Sequence, residues 1–232
     1  MKKLIIKTFL VLLMTVSGIV AILLLTLRLY AYNVSWYTSR MDKLGVSLET
    51  GMSIEDIERI NVKLTDYLKG KADDIRITAK VYGVEREVFN EKEKAHMVDV
   101  RKLFDLVRIL TPLSIVLFVL SAFALAKGYG KKLFYKGFLF IGIVPFALMV
   151  VPVIAAFIDF HGVFTIFHEI FFTNELWILD PRTDILIQMM PQPFFESTAL
   201  AWGISAGFFF ILFAVVGITG LLKLKGKKKN IR

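Results

Sequence analysis

Residues 8–27 read TFLVLLMTVSGIVAILLLTL, 20 residues without a charge. As a helix rising 1.5 Å per residue, such a stretch is about 30 Å long, the thickness of one hydrocarbon core. Three further stretches read the same way: residues 109–126 (18 residues), 137–158 (22 residues) and 197–222 (26 residues). Lipid offers the backbone no hydrogen-bonding partner, so uncharged runs of this length are expected to be helices. The fold class expected is therefore an all-α polytopic membrane protein with four transmembrane helices. Lys2 and Lys3 precede the first span as in a signal peptide. Its apolar run exceeds an ordinary signal core and no A-x-A site follows, so the span is expected to be retained.

The rest of the composition agrees. Of 232 residues, 56% are hydrophobic and 21% charged, and Phe occurs 21 times. That excludes a disordered chain and argues against an ordinary soluble domain. There is no cysteine, which removes disulfides, thiolate metal sites and a cysteine acyl-enzyme together. The net charge of +9 invites a nucleic-acid reading until the charges are placed. Lys2, Lys3 and Lys7 lie before the first span, Lys127, Lys131, Lys132 and Lys136 between the second and third, and Lys223, Lys225, Lys227, Lys228, Lys229 and Arg232 after the fourth. That side carries 13 basic residues and no acidic one, whereas all 20 Asp and Glu lie on the other side with 16 basic residues. The positive-inside rule then puts both termini in the cytoplasm of a multi-pass protein. The basic excess reads as a topology signal and membrane-lipid contact, and nucleic acid is not an expected partner.

Five segments follow. Residues 1–29 hold the cytoplasmic N-terminus and transmembrane helix 1. Residues 30–105 form an extracytoplasmic cap, 106–158 hold helices 2 and 3 with a short basic cytoplasmic loop, 159–196 form an apolar interfacial outer loop, and 197–232 hold helix 4 and a basic tail. All three histidines fall in the outer segments, so any chemistry is expected at the outer face. Gly128 and Gly130 do not make a phosphate loop, which needs more glycines at fixed spacing.

The cap is expected to be small and α+β. Ser53 and Asp56 resemble an N-cap with an acidic first turn. Ile54, Ile57, Ile60, Leu64, Tyr67 and Leu68 recur at helical spacing, with Gly70 as the stop. Ile75, Ile77, Ala79 and Val81 alternate with polar residues as in a strand, and Gly83 turns it into a second strand through Val88. Asn90 and Glu93 fit a capping box for a helix running through His96 toward span two, with a kink at Pro112. In the outer loop, Phe164, Phe167, Phe171 and Phe172 fall at helical spacing around His168. This predicts a short interfacial helix broken at Asp180-Pro181, then another capped by Thr183 and ended by Pro191.

Several motifs resolve into structural readings. Gly203-Ile204-Ser205-Ala206-Gly207 matches G-x-S-x-G but lies inside an apolar span, where a nucleophile elbow cannot form; Gly203 and Gly207 are expected to pack against a neighbouring helix. Phe167-His168-Glu169 suggests a zinc protease, but H-E-x-x-H fails at Phe172. His96, Asp99, His168 and Glu169 do not make a dense ligand cluster, so no metal and no cofactor is expected. The spans carry no charge near mid-membrane, which argues against transport. Arg28 and Arg108 lie near the outer ends and are expected to snorkel. His161 reads as structural or interfacial, and Asn33-Val34-Ser35 is a glycosylation sequon by pattern only. On the residues alone, His96 and His168 remain open between a solvated or interfacial ring and a catalytic one.

Two stretches are more specific. Residues 91–104 read EKEKAHMVDVRKLF, and 167–195 read FHEIFFTNELWILDPRTDILIQMMPQPFF. With four spans and a large first outer loop, the chain resembles the bacterial lipoprotein intramolecular transacylase family, Lit, over nearly its whole length. The family pattern H-M-x-D-V falls on His96, Met97, Asp99 and Val100. F-H-x-I-F-F falls on Phe167, His168, Ile170, Phe171 and Phe172. Downstream elements fall on Asn174, Trp177, Asp180, Pro181, Asp184, Leu186 and Ile187. Family members often have P-E before the final aromatic pair, where this chain has Pro191-Gln192-Pro193.

The resemblance implies a four-helix bundle with an extracellular cap and two catalytic histidines, His96 and His168, at their interface. It implies a diacylglyceryl lipoprotein as substrate, whose sn-2 acyl chain moves to the α-amine of its N-terminal cysteine, giving a lyso-form lipoprotein in the bacterial cell membrane. Asp99, Phe167, Phe171, Asn174, Trp177 and Asp184 are the expected substrate-binding or orienting residues. The chemistry is consistent: the amine needs a base, the departing glyceryl oxygen an acid, and two histidines serve both near neutral pH. The alternatives are an outer-face lipid-ester hydrolase, with or without a metal, and a non-catalytic membrane scaffold.

Overall fold

The computed structural model describes residues 1–229. Arg232, counted above in the basic tail, lies outside them. The elements run α1 (Lys2–Ala31), α2 (Val34–Lys43), α3 (Val46–Thr50), α4 (Ile54–Leu68), β1 (Thr78–Val81), β2 (Val84–Glu87), α5 (Glu91–Ala124), α6 (Lys131–Ile158), α7 (Phe160–Phe171), α8 (Ile185–Met189) and α9 (Gln192–Lys229). A π-helical turn, Leu125–Tyr129, follows α5. Four helices, α1, α5, α6 and α9, are long and apolar enough to cross a membrane. Together with that π-helical turn, which carries Leu125 and Ala126, they contain the four uncharged stretches. α5 runs through Pro112 without interruption.

The chain divides into two compact units. One holds Met1–Thr26, Ile109–Ile154 and the chain from Gly203 on; the other holds Leu27–Arg108 and Ala155–Trp202. In the first, helices meet at small residues. A Cβ on Gly137 would strike the Met14 sulfur, and one on Gly18 would strike Ile141. The two contacts ascend together in sequence, so α1 and α6 run parallel. Gly142 lies against Ala214 and Gly217 against Leu139, which brings α6 onto α9. Close backbone approach is how helices associate in lipid, where burial of apolar surface gives no drive. The sequence expectation placed this role on Gly203 and Gly207, and the structure does not bear it out. Gly203 has open space around it and Gly207 has only Phe146 at 3.9 Å. The contact lies about two to four turns further along α9.

In the second unit, Ser53 Oγ accepts from the Asp56 N–H at 3.1 Å and starts α4. Ile57, Ile60, Leu64, Tyr67 and Leu68 form its buried face. Gly70, at φ 77°, ends it in the left-handed conformation. The β1–β2 hairpin turns at Tyr82-Gly83, both at positive φ (49° and 83°), as a two-residue primed turn requires. Pairing starts at Thr78, three residues later than the alternation from Ile75 suggests, but Ile75, Ala79 and Val81 are all buried as that alternation demands. The sequence reading did not identify α2 and α3. Asn33 of the sequon caps α2, its Oδ1 accepting from Trp36 N–H at 3.0 Å. Arg108 donates to Lys69 O at 2.9 Å and pairs with Asp105. α7 ends at Phe171, well before Asp180-Pro181, and Asp184 rather than Thr183 occupies the N-cap of α8.

Candidate active site

His96 lies on the charged N-terminal half of α5. That half is set by the expected capping box: Asn90 Oδ1 accepts from Glu93 N–H at 3.0 Å, and Glu93 Oε2 accepts from Asn90 N–H at 2.6 Å. Glu93 does more than cap. It is 1% exposed, and its other carboxylate oxygen accepts from Leu186 N–H, at the start of α8, at 2.6 Å. Burial raises its pKa, and the two amide bonds oppose that. Three further bonds tie the chain between α7 and α8 to the same stretch of α5. Asn90 Nδ2 donates to Asp184 Oδ1 at 2.8 Å, Lys92 Nζ to Ile178 O at 2.5 Å, and Asn174 Nδ2 to Asp99 Oδ2 at 2.8 Å. Residues 90, 92, 93 and 99 thus hold the second outer segment on both sides of His96.

His168 comes from α7 and is the buried residue of that helix. Phe160, Phe164 and His168 stack along one side, with Phe164 and His168 centroids 4.1 Å apart. Phe167 and Phe171 lie beside this stack on the same helix face, their rings 4.8 Å apart, and are 45% and 50% exposed. Asp159 starts the helix by accepting from Gly162 N–H at 2.9 Å.

The two histidines converge. Each is 7% exposed, and their ring centroids lie 6.2 Å apart. Buried Phe172 packs against both, at 5.3 Å from His96 and 5.5 Å from His168, and Trp177 covers His168 at 4.8 Å. His168 Nδ1 lies 2.7 Å from Phe164 O. A carbonyl only accepts, so Nδ1 carries the proton and the neutral ring keeps its lone pair on Nε2. His96 Nδ1 is buried without a partner. Both rings lie outside the uncharged spans. Burial and the neighbouring His168 hold the His96 pKa down, to about 4, with Asp99 opposing. Burial also lowers that of His168, and the Phe164 bond opposes it. Both rings are therefore neutral at pH 7.

The other expected site residues are distributed around this pair. Trp177 touches His168, Phe167 contacts it edge-on at 5.3 Å, and Phe171 extends that apolar face. Asp99 bonds Asn174 and Lys102, so its carboxylate ties the loop to α5. Asp184 accepts from Asn90 Nδ2 and from Asp180 N–H, each at 2.8 Å. The partner of a histidine ring nitrogen is the Phe164 carbonyl instead, four residues earlier on the same helix. His161 is exposed on the first turn of α7. The sequence reading saw Glu93 only as a cap, because the bond to Leu186 spans 93 positions. Among the described residues no group of three or more His, Asp or Glu side chains is placed to hold a metal.

Comparisons with known proteins agree with this architecture. The family model described as lipoprotein intramolecular transacylase Lit matches residues 12–195. Among solved structures, the chain is similar to the membrane-integral lipoprotein intramolecular transacylase Lit from Bacillus cereus, with 23% identity and a TM-score of 0.74, covering 98% of this chain and 99% of that one. The same protein with one histidine replaced by alanine matches at 23% identity and a TM-score of 0.74, covering 96% of each chain. The form with that histidine replaced by arginine matches at 22% identity and 0.70, covering 98% and 95%. No curated protein matches the chain. The structural likeness gives the fold, and the family model spans most of the sequence. The chain belongs to the lipoprotein intramolecular transacylase (Lit) family.

Proposed function

We propose that this acyltransferase moves the sn-2 acyl chain of a diacylglyceryl lipoprotein to the α-amine of the lipoprotein's N-terminal cysteine, with His96 and His168 as its catalytic residues. Family membership supports the reaction. The observation that carries the site is the pair of buried, neutral imidazoles 6.2 Å apart inside an aromatic wall. The amine nitrogen attacks the ester carbonyl carbon. An N–C bond forms, the C–O bond to glycerol breaks, and the proton leaving nitrogen ends on the glyceryl oxygen, so no atom is gained or lost. His168 takes the proton at Nε2, and the imidazolium formed is held by its Nδ1–H···O bond to Phe164 and by the C-terminal turn of α7. His96, kept neutral by burial, donates an N–H to the developing oxyanion. The substrate brings its own nucleophile, so neither a serine nor a metal is required. Phe167, Phe171 and Trp177 line the acyl side, and Asp99, Asn174 and Asp184 hold the loop that carries Trp177. The charge asymmetry of the sequence supports cytoplasmic termini and a site at the outer face, where the lipoprotein ester and amine lie. Membrane lipid surrounds the helices, and nucleic acid is no partner.

Mass balance tests the reading. In a host making only diacylglyceryl lipoproteins, expression of the chain should yield an N-terminal lipopeptide of unchanged mass with one base-labile ester replaced by an amide. An N-acetylated lipopeptide lacks the nucleophile and should not react. Free fatty acid released in step with substrate loss, or turnover of the acetylated lipopeptide, would overturn the transacylase assignment.

A further inference from the structure

We infer that a groove between α1 and α6 is a binding site for one anionic glycerophospholipid, held by Lys7, Lys136 and Thr15. The groove is about 660 Å³ and is lined on α1 by residues from Leu4 to Val20 and on α6 by residues from Leu133 to Leu148. On each helix these positions recur every three or four residues, so each contributes one continuous stripe. The two stripes belong to helices that run parallel, with Met14 against Gly137 and Gly18 against Ile141.

That register orders the groove by depth. Lys7 comes first. Lys136 lies level with Leu13 of α1, about 9 Å deeper than Lys7, a span its long side chain can cover. Thr15 lies about 3 Å below Lys136. Beyond Thr15 the wall is apolar, with Val16, Ile19, Val20, Phe140, Val144 and Leu148. Neither lysine has a carboxylate partner among the described residues. Both helices also direct their N-termini, the positive ends of their dipoles, to this end. Thr15 is 6% exposed, and its Oγ1 has no hydrogen-bond partner. Two unpaired cations, then a hydroxyl lacking an acceptor, then hydrocarbon is the polarity sequence of a phosphodiester, a glyceryl ester carbonyl and an acyl chain. A second copy of a transmembrane helix would satisfy the apolar wall but leave both cations and the hydroxyl unpaired.

The full chain in nanodiscs, carrying a trace of phosphatidylglycerol with a photoreactive diazirine in its acyl chain, tests this. Labelling mapped by peptide mass spectrometry should concentrate on residues 8–20 and 138–148, over the lipid-exposed faces of α5 and α9. Lys7→Gln with Lys136→Gln should reduce that labelling about 30-fold, and the paired Arg substitutions should retain it. Thr15→Val, which keeps the shape, should reduce it about 5-fold. The matching phosphatidylcholine tracer should label all four helices alike. Equal labelling of all helices by phosphatidylglycerol, no loss in the double Gln variant, or inter-chain cross-links through α1 and α6 would each overturn the site.

Discussion

Glu93→Ala should loosen the loop over the histidine pair. The wild-type carboxylate accepts two short amide bonds, from Asn90 and Leu186, while 1% exposed. A hydrogen bond to a charged group is worth about 1.5–3 kcal/mol net, so removing both costs about 3–6 kcal/mol. Relief of the buried charge opposes this, since burial raises the Glu93 pKa. The net expectation is about 2–4 kcal/mol of destabilisation, because two buried N–H groups remain without acceptors. For a chain of this size, that lowers the unfolding temperature by roughly 5–10 °C. Thermal unfolding of the detergent-purified chain measures it, and hydrogen exchange across residues 185–190 localises it. The Leu186 amide should exchange much faster in the variant than in wild type. Glu93→Gln keeps one acceptor oxygen and should fall between them. An unchanged unfolding temperature with unchanged protection at Leu186 would show that the carboxylate does not hold this loop.

The remaining expectations concern the site and its orientation. His96→Ala and His168→Ala should each lose about 10²–10⁴ in rate at matched protein level in the membrane, and His161→Ala much less; lipopeptide turnover measures all three. The acid limb of the rate profile should lie below pH 6.5. Burial lowers both histidine pKa values, so acid protonates the rings only beneath the ordinary imidazole range, and a limb at or above pH 6.5 would contradict the buried pair. Because the chain has no cysteine, single introduced cysteines report topology without background. In intact cells an impermeant thiol reagent should label position 71 and spare position 130, and the reverse would invert the assignment of the termini.

Legibility in the sequence followed the range of the interactions. The spans were readable because hydrocarbon imposes a minimum length on an uncharged helix. α4, the hairpin and the start of α5 were readable because Ser53, Gly83 and the Asn90–Glu93 pair act within four residues. What escaped depends on partners distant in the chain. Gly142 and Gly217 are packing glycines only because Ala214 and Leu139 lie opposite them. Gly203 and Gly207 have the i,i+4 spacing of a packing pair, but nothing lies opposite Gly203 and only Phe146, at 3.9 Å, opposite Gly207. α7 was extended too far because Asp180-Pro181 is a local stop, whereas the helix ends where Phe172 turns inward between the histidines. The histidines themselves stood open on spacing alone. The Lit resemblance singled them out, and burial against one another makes them a pair.

The unequal environments of the two rings bear on how the site favours amide formation over hydrolysis. A ring held near pKa 4 is a weak base toward an amine that titrates near 8, so His96 is poorly suited to take the amine proton. His168 is better suited. Its Nδ1–H is fixed on Phe164, its lone pair is on Nε2, and that same bond opposes the effect of burial. His96 Nδ1 is buried and has no hydrogen-bond partner, and the proposed mechanism leaves that position to the substrate. An ester carbonyl turning into an oxyanion can fill it, and a donor that has no competing partner costs nothing to reorient. Water is the rival nucleophile, and Phe164, Phe172 and Trp177 keep it from the rings. A tethered amine held at the carbonyl reaches effective concentrations of about 10⁵ M or more. The attack closes an eight-membered ring (N, Cα, Cβ and S of the cysteine, two glyceryl carbons, the ester oxygen and the carbonyl carbon), and such closure forfeits that advantage unless the chain is held folded. In the proposed mechanism the aromatic wall therefore has two tasks, excluding water and restraining the acyl chain. Loss of Trp177 should accordingly raise the ratio of hydrolysis to transfer, whereas loss of either histidine should slow both together.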